Sequence, residues 1–278
     1  MDVQHSQVFF PGNLPELFSA WARYPNAVPF AGGTELLWGQ GKTTVALPLN
    51  ILSLDKLAEL HHITRTERYL EIGAMVKISE IINLGKTVPE VLRQTLNGIA
   101  SPQLRNIATI SGNICHTSRR MDASASMIAL DARYELRTAQ GIRWISASRF
   151  SAFSSPLVFN PQELFTRIRI PLEQWDYSIY KKFEGPYVGI ESGGVAVFLV
   201  RVQKNILTDI RMVFAERAIL RDKNSESFLA GKRLPLDRKD AMNYVELWKT
   251  YLSAIELSGE LIKAKLLNFI ESTIIDLS

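Results

Sequence analysis

The chain is poor in cysteine: Cys115 stands alone among 278 residues. One cysteine closes no internal disulfide. Nor can it hold an iron–sulfur cluster or a structural zinc, which take about four ligands. Any metal chemistry tied to this protein therefore belongs to another chain. Long apolar runs are lacking too, and none approaches the roughly 18 residues that span a bilayer. The first residues, MDVQHSQVFFPGNLPEL, lack the basic-then-apolar order of a signal peptide, so the expected location is cytoplasmic. A basic stripe is also missing. With 32 basic against 28 acidic residues the net charge is +4, and the basic runs are pairs such as Arg119-Arg120 and Lys181-Lys182. That excludes nucleic acid as the expected partner. There is no internal repeat, low-complexity segment or long linker.

What is present fits a globular protein. A hydrophobic fraction of 46% and a charged fraction of 22% fill a core of ordinary size. The length suits two compact domains or one large one. The first part reads as short strands alternating with helices. Val28 to Ala31 ends a strand at Gly32-Gly33, and a helical turn follows from Thr34 through Trp38. Thr44 to Leu52 and Tyr69 to Ala74 read as strands. Ser79 is the expected cap of a helix beginning there, and Val88 to Ala100 is a helix ended by Ser101-Pro102. Asp122 to Leu130 reads as a buried helix, and Glu135–Arg137 with Arg143–Ile145 as a hairpin around Gln140-Gly141. In the second half, four runs alternate apolar and polar residues: Leu164–Ile170, Tyr177–Phe183, Gly194–Val202 and Ile206–Phe214. Together they point to an antiparallel sheet. From Asn243 apolar residues recur at helical spacing, with Ser258-Gly259 as an interruption. The fold class is α+β, with a boundary near Pro171.

Two loops carry candidate chemistry. In Ala31-Gly32-Gly33-Thr34-Glu35-Leu36, two glycines follow a strand and let the backbone turn tightly beside a ligand. Their amides, with those of the next helical turn, suit a pyrophosphate. Ala108-Thr109-Ile110-Ser111-Gly112-Asn113 repeats the design with small, hydroxyl-bearing residues. Asn113 and the later Asp122 could anchor ribose or ribityl hydroxyls. Alone, the first reads more readily as a plain strand-to-helix turn and the second as a capped turn; two in one domain are more suggestive.

Other motifs fail. Gly41-Lys42-Thr43 lacks the earlier glycine of a phosphate-binding loop, since Leu36 holds that place. Gly39-Gln40-Gly41 lacks the third glycine of a dinucleotide fingerprint. His61-His62 is vicinal, not the pair four apart that chelates zinc on a helix. Cys115-His116 has no third partner for a triad.

The strings themselves go further. AGGTELL, followed by SPQLRNIATISGNICHTSRRMDASASMIALDA, resembles the FAD-binding subunits of molybdenum hydroxylases, the xanthine dehydrogenase and carbon monoxide dehydrogenase flavoprotein family. The likeness continues through ELFTRIRIP, Tyr180-Lys181-Lys182-Phe183 and Phe228-Leu229-Ala230-Gly231-Lys232, and so covers essentially the whole chain. It implies a flavin-binding domain of the vanillyl-alcohol-oxidase type over residues 1–171, in two subdomains dividing near 55–60. A small antiparallel sheet with a helical bundle would follow over 172–278. By motif, Ala31, Gly32, Gly33, Thr34, Glu35 and Leu36 would wrap the FAD pyrophosphate. Thr109, Ser111, Gly112 and Asn113 would form the second cofactor loop, and Asp122 would hold polar cofactor atoms. Phe165 falls where an apolar residue touches flavin or adenine, and Lys181 or Lys182 where a basic group approaches. The family's organic substrate is hydroxylated at a molybdopterin centre on a large subunit. Two 2Fe–2S clusters on a small subunit relay electrons to FAD, which passes them to NAD or another acceptor.

Three positions depart from the family pattern. Ser111 replaces a glycine at a close approach, Arg119-Arg120 replaces small residues or proline, and Gly185-Pro186 replaces a pair of arginines. Two other classes stay open beside the electron-transfer subunit: a stand-alone flavin oxidoreductase, and a non-flavin assembly or maturation protein that keeps the fold.

Overall fold

The computed structural model describes residues 6–37, 46–115, 122–150, 159–183, 193–216, 219–257 and 259–278. The sequence motifs at Gly39-Gln40-Gly41, Gly41-Lys42-Thr43, His116, Arg119-Arg120 and Gly185-Pro186 lie outside them.

The first unit holds β1 (Gln7–Phe9), α1 (Leu14–Arg23), β2 (Val28–Phe30), α2 (Thr34–Leu37) and β3 (Asn50–Ser53). The strands pair in parallel in the order β1-β3-β2. Asn13 caps α1 by accepting from the Glu16 amide at 2.9 Å. Leu14, Leu17, Phe18 and Trp21 then line one helical stripe and bury it with Leu52. The expected strand from Thr44 is thus confined, among the described residues, to its C-terminal end.

The second unit adds β4 (Ile63–Arg65), β5 (Tyr69–Gly73), α3 (Ile78–Asn83), α4 (Glu90–Asn97), α5 (Pro102–Arg105), α6 (Ile110–Ile114) and α7 (Asp122–Ala129). After these come β6 (Arg133–Arg137), β7 (Ile142–Ser146), α8 (Ala147–Phe150) and β8 (Leu164–Pro171). The sheet runs β4-β5-β8-β6-β7, every neighbour antiparallel. One expectation is corrected here. Leu164–Pro171 does not join the C-terminal strands. It lies at the centre of this sheet, because its inward Ile168 and Ile170 pair with Ile72 and Leu70. Two helix starts also differ. Lys77 occupies the cap position of α3, where its amide donates to Glu80 at 2.7 Å, so Ser79 lies inside the helix. Ser101 caps α5, accepting from the Leu104 amide, so Ser101-Pro102 opens a helix as well as following one.

The third unit contains β9 (Tyr177–Phe183), β10 (Gly194–Gln203), β11 (Ile206–Ala215), β12 (Ile219–Leu220), α9 (Lys223–Leu229), α10 (Arg238–Ser253) and α11 (Glu260–Ile275). Its antiparallel sheet runs β12-β11-β10-β9. Strand β10 reads as a continuous apolar run because both its faces are covered. Val195, Val197 and Leu199 join the core beneath α4 and α7, while Ala196, Phe198 and Val200 face the core built by α9, α10 and α11. Burying each large side chain of this kind stabilises the fold by about 1.5–3 kcal/mol. Among the described residues no helix is long and apolar enough to cross a membrane.

Candidate functional site

The two loops singled out in the sequence meet. Gly32 packs so closely on the second loop that a β-carbon there would overlap the Ile107 carbonyl oxygen and lie 3.0 Å from its carbon. Gly33 has φ +68°, the left-handed region, and a β-carbon on it would run into the Phe30 ring. The chain then enters α2 at Thr34. The second loop is pinned to the segment after β5 by a short antiparallel bridge. The Ile78 amide donates to Ala108 O at 3.0 Å and the Ile110 amide to Val76 O at 3.1 Å. Thr109 caps α6, its Oγ1 accepting from the Gly112 amide at 3.1 Å. The beginnings of α2 and α6 are thus brought to one place, and on α6 the Ile110 and Gly112 amides are already taken by Val76 O and Thr109 Oγ1.

Each sequence-predicted residue has a definite position. Ala31, Gly32, Gly33, Thr34, Glu35 and Leu36 are all half-buried along the first loop. Gly112 is exposed and Asn113 half-buried on the first turns of α6. Asn113 Oδ1 accepts from the Ala123 amide at 3.3 Å and so joins α6 to the start of α7. Ser111 points the other way. It is buried, and its hydroxyl donates to Ala74 O at 2.7 Å. The departure from glycine therefore adds a core hydrogen bond, not a side chain aimed outward.

The paired lysines separate. Lys182 Nζ donates to Gly98 O at 3.0 Å and lies 3.5 Å from Asp122 Oδ2, at the first residue of α7. Lys181, on the opposite face of β9, is exposed. Phe165 is 4% exposed, with ring centroids 5.0 Å from Tyr134 and 5.8 Å from Phe150. The structure buries it in the core that also holds Ile110 and Ile114.

Three contributors were not picked out from sequence: Phe30 beneath Gly33, Ile107 against Gly32, and Arg105. The Arg105 guanidinium donates through one nitrogen to Asn97 O, Ile99 O and Ala100 O at 2.8–3.0 Å. With Lys182 on Gly98 O, four successive carbonyls of the turn after α4 receive a cationic donor. The Ser-Pro-Gln-x-Arg-Asn string was the available signal for Arg105. Burial pushes the Cys115 thiol up to about 12, so at neutral pH it stays protonated and is no thiolate nucleophile. Burial first, and the nearby Cys115 second, likewise raise the Tyr134 phenol.

Residues 4–173 match a family model described as the FAD binding domain in molybdopterin dehydrogenase. The carbon monoxide dehydrogenase medium chain of Hydrogenophaga pseudoflava is 29% identical, over 73% of this chain and 71% of its own length. Xanthine dehydrogenase of Oryza sativa subsp. japonica is 26% identical over 80% of this chain, which spans only 18% of that larger protein. Quinoline 2-oxidoreductase from Pseudomonas putida 86 contains a chain with a TM-score of 0.81 at 21% identity, covering 100% of this chain and 98% of that one. That last likeness is one of fold.

Proposed function

The chain belongs to the family of FAD-binding domains of molybdopterin dehydrogenases, and from that premise we propose that it is the FAD-carrying electron-transfer subunit of a molybdopterin-dependent hydroxylase or dehydrogenase complex. The observation that carries this reading is the packing of Gly32 on Ile107. It sets two small-residue loops side by side, with little side chain to keep a dinucleotide pyrophosphate from the backbone.

The residues present fit the cofactor. Gly33 gives a left-handed turn, and Gly112 leaves the first turn of α6 without a bulky side chain. In the proposed site, residues Ala31 to Leu36 and Thr109, Gly112 and Asn113 enclose the phosphates, with Ser111 as an internal brace. Asp122, steadied by Lys182, offers a carboxylate to sugar or ribityl hydroxyls. Lys182 replaces the undivided lysine pair of the sequence reading, and Phe165 supports the core behind the site. When bound, FAD would supply the redox chemistry that links 2Fe–2S clusters to NAD or another acceptor. This chain's work is to bind and orient the cofactor.

The partners in this reading are a molybdopterin-binding large subunit and a 2Fe–2S small subunit, in the cytoplasm. Residues 1–171 form the cofactor domain, dividing near 55–60, and 172–278 the supporting one. An absorbance spectrum of the chain, alone and co-expressed with such partners, tests this after FAD addition and desalting. Flavin bands released as FAD on denaturation are expected. A colourless chain in both preparations would overturn the reading and favour a non-flavin assembly role. Bound flavin with substrate turnover by the chain alone would instead make it a stand-alone oxidoreductase.

A further inference from the structure

We infer that the C-terminal four-stranded sheet grips α7 at both ends, and that Arg211 and Arg221 are positioning residues for Asp122 at the helix's far end. The functional side of this rests on the flavin reading. At the carboxyl end of α7, Arg211 donates to Ala129 O at 2.6 Å and Arg221 to Ile128 O at 3.2 Å. Helix-terminal carbonyls need such donors, and cations there complement the helix dipole. Asp131, in the left-handed region at φ 51°, lies 2.8 Å from Arg211 and 3.0 Å from Arg221. At the amino end, Lys182 reaches Asp122.

Lys182 and Arg211 come from one sheet face at a spacing close to the helix's length, and Arg221 from the residue that follows β12. Lys182 stands opposite Val195 and Arg211 opposite Leu199 on β10. Four strand residues span about 13 Å. Asp122 to Ala129 spans about 10 Å of helix. Between the two ends, Val195, Val197, Leu199, Val213 and Ala215 pack in one core with the alanines of α7, whose small side chains let helix and sheet approach closely.

The grip is braced from behind. Arg211 is only 10% exposed on its side chain, is held by Asp209 at 2.9 Å and stacks 4.6 Å from the Trp175 ring. Arg201 lies 4.7 Å from the same ring. Trp175 sits on the connection from β8 to β9, so the crossing between the second and third units is tied to the same cluster. Glu226 holds Arg221 at 2.8 Å. A rigid brace of this kind fixes a helix where water could only satisfy its carbonyls.

The test uses the full chain with Arg211→Met and Arg211→Lys, and Leu266→Ala in the α9–α11 core as a destabilised control. FAD affinity is read by fluorescence titration well below the unfolding transition. Amide hydrogen exchange is read over residues 122–126. Arg211→Met should weaken FAD binding about tenfold and speed exchange at 122–126, with partial recovery in Arg211→Lys. Leu266→Ala, at a matched loss of stability, should do neither. Wild-type affinity and exchange in Arg211→Met, the same changes in Leu266→Ala, or a lysine no better than methionine would each overturn the grip. If the wild-type chain binds no FAD, either alone or co-expressed with its partners, the flavin reading fails, and exchange at 122–126 decides the grip alone.

Discussion

Gly32 lies against the main chain of Ile107, 75 residues further along, with room for a hydrogen and nothing larger. The contact is backbone to backbone, so no rotamer change relieves an added methyl group. Overpacking of this kind costs about 1–3 kcal/mol. Gly32→Ala should therefore lower the melting temperature and, by parting the two loops, reduce bound FAD below one per chain. Circular dichroism melts with flavin stoichiometry check both. An alanine variant with full flavin would mean that the loop contact does not shape the site.

Gly33 presents a different constraint. Its left-handed backbone disfavours any L side chain by about 1–2 kcal/mol, and the Phe30 ring occupies the space of a β-carbon. A larger residue here strains its own loop before it fills a phosphate site. Gly33→Ala should destabilise the protein, and Phe30→Leu in the same chain should recover part of the loss. Denaturant melts of the single and double variants measure the coupling. Strict additivity would show that the ring does not enforce glycine.

Much of this was legible in the chain. The strand–Gly-Gly–helix order, the buried α7 and the two C-terminal helices all follow from local composition and spacing. The partners of β8 do not, since alternation assigns faces but names no neighbour. Phe165 shows the same gap at one residue. A bulge in the β6–β8 pairing sets Glu135 opposite Arg167 but Leu136 opposite Phe165. The extra residue, Thr166, turns Phe165 onto the same inward face as Ile168. Separating Lys181 from Lys182 needed the knowledge that α4 and α7 cover one face of β9 and the C-terminal helices the other. The Gly32–Ile107 contact joins segments that no short motif links.

Glu163 gives the fold an acid-sensitive point. Burial alone would push its carboxyl up, but hydrogen bonds from Arg143 and Asn160 outweigh this and hold it below the usual carboxylate range. Arg143 binds it through two nitrogens, each at 2.6 Å. Because the folded-state pKa is depressed, the stabilisation is fully present above the unfolded value of about 4.3 and is lost as pH falls through the folded value. Glu163→Gln should cost about 1–2 kcal/mol at neutral pH, discounted for the half-exposed Arg143. It should also flatten the decline in stability below pH about 4.3. Urea melts across that range decide the matter, and parallel acid limbs in the two proteins would remove Glu163 from the account.

Ser111 separates a structural departure from a functional one. Its hydroxyl is buried on Ala74 O, so Ser111→Ala leaves that carbonyl without its donor and should cost about 1–3 kcal/mol of stability. The side chain points away from the outer surface of the loop, so FAD affinity should stay within about twofold of wild type. Restoring the glycine of the family pattern, Ser111→Gly, should likewise lower the melting temperature without tightening FAD, and glycine's greater freedom adds to the loss. Thermal melts paired with flavin titrations on both variants separate the two effects. A marked gain in affinity on removing the hydroxyl would mean that Ser111 reaches the cofactor and that its bond to Ala74 is secondary.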